Sequence, residues 1–264
     1  MMENADVSET EVKNFKALLD YLKKLSEDGV TSLIEKQVKW MLDNSLDFFS
    51  HLVLEDSFPE ITRLTINKKV LNGKNKRIKE IKYLKYPPAD KVKTYGRCNQ
   101  PGQSVLYSAF SEMTVLNELQ PRKGDLITTS KWRLKDGQTI MFCPIFRNQP
   151  EEEDVLNPRT FEIFNQFEDG KIEAIYYPSV KERLSFENLA IKPEVFDTKY
   201  ELIEVKDSVI RMDTSKGEGG YIMDGLSVCK SFDYAAGKIL WDNKVDQSKE
   251  RIAQLKSLYQ VDFE

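Results

Sequence analysis

A single histidine, His51, stands in the whole chain. Any Ser-His-Asp or Cys-His mechanism would have to run through it, and zinc sites usually draw on more than one. The three cysteines, Cys98, Cys143 and Cys229, are far apart and odd in number. That pattern suits neither a disulfide framework nor a metal site, which wants closely spaced pairs. Chemistry is therefore left to carboxylates, arginines, tyrosines and hydroxyls, and three segments concentrate them. In the first, Arg97 sits on a turn punctuated by Gly96, Pro101 and Gly102, ahead of a β-like run that holds Tyr107. The second is a short helical stretch, 111–119, that ends near Glu118. The third carries Tyr176, Tyr177, Pro178 and Ser179, followed by Asn188, Leu189, Ala190 and Ile191. Each residue alone also has an ordinary structural role: Arg97 in a surface ion pair, Tyr107 in strand packing, Glu118 as an exposed helix charge, Ser179 as a turn hydroxyl. By residue type they describe a polar cluster at the ends of strands.

The elements that must position this cluster can be read from the hydrophobic pattern. Ser8 and Glu11 form a capping box, and Val12, Phe15, Leu18, Leu19, Leu22 and Leu25 follow at helical spacing. After the break at Asp28 and Gly29, a second helix is expected over about 32–54. This amphipathic pair would pack on the main domain or offer a docking face to a partner. From Pro59 the texture changes to short β-rich runs at 61–66, 80–83, 105–110, 126–134, 139–142 and 172–177, with helices at 111–119 and 160–167. The basic stretch 68–85, with Gly73, Lys74, Asn75, Lys76 and Arg77, reads as a solvated loop or a contact for phosphate or an acidic partner. It lacks the Gly-rich spacing of a phosphate loop. The acidic turn 151–154 reads as a solvated loop. Strands at 202–205 and 209–212, a flexible turn at Gly217, Gly219 and Gly220, and a last helix at 247–259 with Ile252, Leu255 and Leu258 on one face complete the chain. Without regular βαβ alternation the expected class is α+β. The expected division is a helical extension at 1–57, a main domain at 58–206 and an appendage at 207–264.

Bulk composition narrows the function classes. Hydrophobic residues make up 40% of the chain, enough for a real core, and charged residues 31%, with a net charge of −4 and the two signs interspersed. An acidic total argues against a nucleic-acid protein. No apolar run approaches the roughly 20 residues that span a bilayer. The polar, acidic start lacks the features of a secretory signal, so a reducing cytoplasm is the expected setting.

Together the segments resemble the RES domain family. Gly96 and Arg97 followed by Asn99, then Leu106 and Tyr107, then Asn117 and Glu118, are similar to the family's G-R turn, tyrosine-bearing strand and glutamate-bearing helix. Thr62, Arg63 and Leu64 resemble its opening strand, and Tyr86, Pro87 and Pro88 its proline pair. Tyr177, Pro178, Ser179, Val180 and Lys181, with Asn188 to Ile191, look like its Y-P-S-x-R and N-L-A-L segment. The resemblance spans residues 59–205. Cys98 departs from the family's usual aromatic, and the late helix offers Thr160 without the usual glutamine.

The resemblance implies a bent, mixed sheet of ADP-ribosyltransferase-like type, flanked by the N- and C-terminal helices. It implies cleavage of NAD at its nicotinamide–ribose bond. NAD would be a substrate, with no resident cofactor and no metal. Glu118, Arg97 and Tyr107 would be the catalytic trio. Arg63, Arg97, Tyr107 and Ser179 would contact NAD, the arginines at its diphosphate and Tyr107 at its nicotinamide ring. The acceptor could be water, phosphate or a protein, and a non-enzymatic binding module is the alternative from another class. The family also implies a toxin silenced by a separate antitoxin protein.

Overall fold

The computed structural model describes residues 51–54, 59–144, 172–178, 186–213, 220–241 and 249–262. The expected helices up to residue 50, the helix at 160–167, the acidic turn at 151–154, Gly217, Gly219 and Ser179 lie outside the described residues. The class is α+β: a nine-stranded mixed sheet with few helices. Its strands are β1 (His51–Leu54), β2 (Ile61–Ile66), β3 (Leu106–Ala109), β4 (Leu126–Leu134), β5 (Thr139–Pro144), β6 (Ala174–Pro178), β7 (Phe186–Ile191), β8 (Tyr200–Asp213) and β9 (Tyr221–Cys229). They lie in the order β1-β5-β6-β7-β3-β2-β4-β8-β9. Only β5 and β6 run parallel. A small hairpin, β10 (Phe232–Asp233) with β11 (Lys238–Ile239), stands apart.

Strand alternation splits the core between two faces. On one face Ile61, Leu106, Trp132, Leu189 and Val205 pack with Phe196 and Tyr200. That face is covered by the helix α3 (Pro193–Lys199), after a one-turn helix α1 (Asn67–Val70), and by the 3₁₀ turn Ile81–Leu84. On the other, Leu64, Ile66, Ala109, Ile127 and Ile210 receive Val115 and Leu116 of α2 (Glu112–Leu119). Each such aliphatic side chain withdrawn from water contributes about 1.5–3 kcal/mol. The α2 helix starts where it does because the Ser111 side chain caps it, accepting from the Thr114 N–H at 3.1 Å. It stops at Gln120, whose φ of 47° is left-handed.

Five sequence expectations change. Residues 51–54, expected as the end of a helix, form β1, paired antiparallel with β5 through Leu52↔Met141. Four apolar-leaning residues cannot tell helix from strand by period. The run 80–83 is a bridge at Glu80 followed by the 3₁₀ turn, because Ile81 and Leu84 bury at a spacing of three rather than two. The two strands at 202–205 and 209–212 are one, since Asp207 between them is buried with a buried partner. Asp207 pairs with Arg77 at 2.8 Å, which also makes part of the basic stretch core rather than solvated loop. In the last helix, α4 (Lys249–Tyr259), Leu255 is buried with Tyr259 beside it, whereas Leu258 is 61% exposed. A stripe at i, i+4 replaces the expected one at i, i+3.

The sheet has a seam. β2 joins β3 through one residue pair, Thr62↔Ala109, whereas it joins β4 through six, Ile61↔Trp132 to Ile66↔Ile127. The candidate site lies at this seam. The sheet itself continues across residue 57, through β1, and across residue 206, through β8 and β9.

Candidate functional site

The Arg97 turn is built from the backbone outward. The Gly96 N–H donates to the Asn99 carbonyl at 2.8 Å. The Asn99 side chain donates to the Gln103 carbonyl at 3.1 Å and holds the following loop. The Tyr107 hydroxyl locks the turn from below. It accepts the Cys98 N–H at 2.7 Å and donates to Asn99 Oδ1 at 2.7 Å. Glycine is required at 96 for space: a Cβ there would stand 2.2 Å from Asn99 Oδ1 and 2.7 Å from the Tyr107 hydroxyl. Cys98, which replaces an expected aromatic, points fully inward. Burial pushes its thiol up to about 12, with Arg97 pulling weakly the other way. At neutral pH little thiolate forms there, which suits a packing role.

Arg97 and Glu118 meet. Arg97 Nη2 lies 3.8 Å from Glu118 Oε2, with both side chains partly exposed. Asn188 Nδ2 donates to the other oxygen, Glu118 Oε1, at 3.3 Å. The register explains how three distant segments converge. Tyr177, Asn188 and Ala109 stand opposite one another across β6, β7 and β3, and Tyr107 is two residues from Ala109 on the same face. The α2 helix covers that face and brings Glu118 to it. The Arg97 guanidinium lies over the Tyr177 ring, 5.7 Å from its centroid. Tyr177 meets Tyr107 edge-on at 6.5 Å. Burial raises the Tyr107 and Tyr177 hydroxyls above their ordinary value, so both stay protonated. The Arg97 Nη1 atom is buried with no hydrogen-bond partner among the described residues. A buried donor of this kind lacks an acceptor that a bound oxygen would supply.

Arg97, Tyr107 and Glu118 are thus brought together as one cluster. Arg63 is not part of its open surface. It stands opposite Ser130 in register, on the Trp132 face, while its neighbour Leu64 faces α2. Its Nη1 donates to the Tyr107 carbonyl at 2.9 Å, tying β2 to β3 where the ladder is open. Burial pulls its pKa down to about 10. Ser179 lies outside the described residues. Sequence reasoning gave no role to Asn188, Asn99 or Tyr177. The signal for Asn188 was present: it is a polar residue at the head of an apolar run, and it is buried.

A cavity of about 220 Å³ opens beside the cluster, sharing Tyr107, Asn99 and Gly96 as a wall. Among the described residues no group of histidine, cysteine, aspartate or glutamate could hold a metal ion. No helix among the described residues is long and apolar enough to cross a membrane. No protein-family model matches the chain, and no curated protein matches it at the threshold for relatedness.

Proposed function

We propose that this chain is an NAD-consuming enzyme that cleaves the nicotinamide–ribose bond on an ADP-ribosyltransferase-like, RES-type sheet. The observation that carries the reading is the Glu118 carboxylate, held at one oxygen by Asn188 and faced at the other by Arg97. Breaking a ribosyl C–N bond builds oxocarbenium-like positive charge on the sugar, as in glycoside hydrolysis. A fixed carboxylate beside the ribose stabilises that charge and accepts a hydrogen bond from a ribose hydroxyl. Nicotinamide departs as the neutral base with the electron pair of the broken bond, and the acceptor oxygen then adds to the ribosyl carbon and gives up its proton to solvent. Asn188 fixes the carboxylate plane, and Arg97 Nη1 offers its unused donor to an oxygen of the substrate.

Tyr107 takes a different part from simple ring stacking. Its hydroxyl is committed to the turn, so it positions Arg97, while its ring and that of Tyr177 form an aromatic wall. In this reading NAD is substrate, no metal or resident cofactor takes part, and a cytoplasmic toxin restrained by a separate antitoxin protein is the biological setting.

The test is incubation of the purified protein with NAD, with and without phosphate, following nicotinamide by chromatography. Wild type releases nicotinamide. Glu118→Gln releases it about 10²–10³-fold more slowly, the usual cost of losing one transition-state electrostatic contact. Equal rates from the two proteins would remove Glu118 from the chemistry, and no release from wild type would end the NAD reading.

A further inference from the structure

Arg63 spends its Nη1 on the Tyr107 carbonyl and stands on the Trp132 face of the sheet, away from the cluster. Arg97 is engaged at the carboxylate end by Glu118 and Tyr177. The anionic part of a dinucleotide substrate needs other cations, and the cavity beside the cluster supplies them. Its wall is shared with the site through Tyr107, Asn99 and Gly96, and its rim carries Lys91, Lys93 and Tyr95. Lys93 is exposed and has no ion pair among the described residues. Lys91 reaches Asp90 only at 4.0 Å, with 74% of its side chain exposed. Tyr95 is 63% exposed. The volume, about 220 Å³, is below the roughly 300–1,000 Å³ of pockets that enclose a whole drug-sized ligand, so the cavity suits part of one.

We infer that this cavity is a nucleoside-diphosphate subsite, in which Lys91 and Lys93 meet the two phosphates and Tyr95 stacks on the base. The inference rests on the NAD reading for the identity of the whole substrate. Its chemistry stands apart from it: two ammonium groups attract a diphosphate from any direction, and an exposed ring at the same rim offers a face to a planar base. The cavity ends at Gly96, and the adjoining Arg97 faces Glu118, so a dinucleotide seated here would run from the lysine rim past the Arg97 turn to the carboxylate.

The probes are ADP and inorganic pyrophosphate, titrated calorimetrically into the full chain at low salt, beside NAD turnover followed by nicotinamide release. The variants are Lys91→Glu with Lys93→Glu, and Tyr95→Ala. All three residues are exposed, so the fold tolerates them. Wild type binds both probes. The double charge reversal abolishes both heats and raises the KM for NAD by about 10-fold or more with kcat nearly unchanged, as loss of ground-state phosphate contacts requires. Tyr95→Ala weakens ADP and leaves pyrophosphate alone. Lysine-dependent ADP binding without nicotinamide release would keep the subsite and remove the NAD reading. Nicotinamide release with an unchanged KM in the double variant would overturn the subsite and keep that reading. Absence of ADP binding by wild type overturns the subsite in either case.

Discussion

The Tyr107 hydroxyl accepts the Cys98 N–H and donates to Asn99 Oδ1, both at 2.7 Å, so the turn that carries Arg97 hangs on one phenol. Tyr107→Phe keeps the ring and removes both bonds. A buried donor and a buried acceptor are then left unpaired, at a cost of about 1–3 kcal/mol each at most. Urea unfolding should show that loss. Under the proposed NAD-cleaving function, nicotinamide release should fall about 10²-fold through misplacement of Arg97, since small displacements in a site cost that much. A Phe variant with wild-type turnover would show that the turn holds its shape without the hydroxyl.

Gly96→Ala forces a methyl into space that Asn99 Oδ1 and the Tyr107 hydroxyl already fill. Overpacking of this kind costs about 1–3 kcal/mol. Gly225→Ala is the matched control, because nothing lies within 4 Å of a Cβ there. Thermal unfolding should separate the two variants by several degrees, with Gly96→Ala the lower. Similar melting temperatures would mean that the turn yields at little cost.

Cys98 is buried and its thiol is pushed up to about 12, so little thiolate exists at neutral pH. Iodoacetamide at pH 8 should leave the Cys98 peptide unlabelled in the native protein and label it after denaturation, as read by mass spectrometry. The sign for stability follows from the same shift. The folded value lies above the free value of 9.0, so this thiol's contribution is intact below about 9 and is lost as pH rises towards 12. Rapid native labelling of Cys98 at pH 8 would contradict its inward placement.

Arg77 and Asp207 form a buried ion pair, joined by the Ser227 hydroxyl at 2.8 Å from Arg77 and the Thr128 hydroxyl at 2.8 Å from Asp207. Arg77→Met alone leaves a buried carboxylate unpaired and should cost roughly 3–5 kcal/mol at neutral pH, whereas Arg77→Met with Asp207→Leu should recover much of it. Burial raises the Asp207 carboxyl to about 6, against 3.8 when unfolded. Between those values the folded state holds a proton that the unfolded chain has released. This group therefore stabilises most below about 4 and progressively less as pH rises to about 6. Denaturant midpoints across that window should carry this slope in wild type and lose it in Asp207→Asn.

Much of the sheet was legible because short runs rich in β-formers between polar turns, such as 61–66 and 126–134, suit a pleated and largely buried strand, and both strands stand where that texture puts them. The same logic could not join 202–205 to 209–212. Asp207 looks like a solvent-facing break until Arg77, far away in sequence, is known to meet it. The meeting of Arg97 with Glu118 followed from motif order. The withdrawal of Arg63 did not: alternation turns a side chain by face, and only the pairing of β2 with β4 reveals which face is which. Asn188 was passed over because its partner is set by sheet order, which short strands do not announce.

The seam between β2 and β3 bears on how the site keeps its shape. Arg97 and Asn188 belong to the β7-β3 side. Glu118 rides on α2, which is seated on Leu64, Ile66, Ile127 and Ile210 beyond the seam as well as on Ala109 of β3, and is tied to β8 by Lys206 to Glu112 at 3.2 Å. The 3.8 Å between Arg97 and Glu118 is therefore a caliper reading across the sheet. Thr62 opposite Ala109 and Arg63 on the Tyr107 carbonyl are the contacts that span the seam, so the order of those two residues belongs to the candidate site as much as to the scaffold.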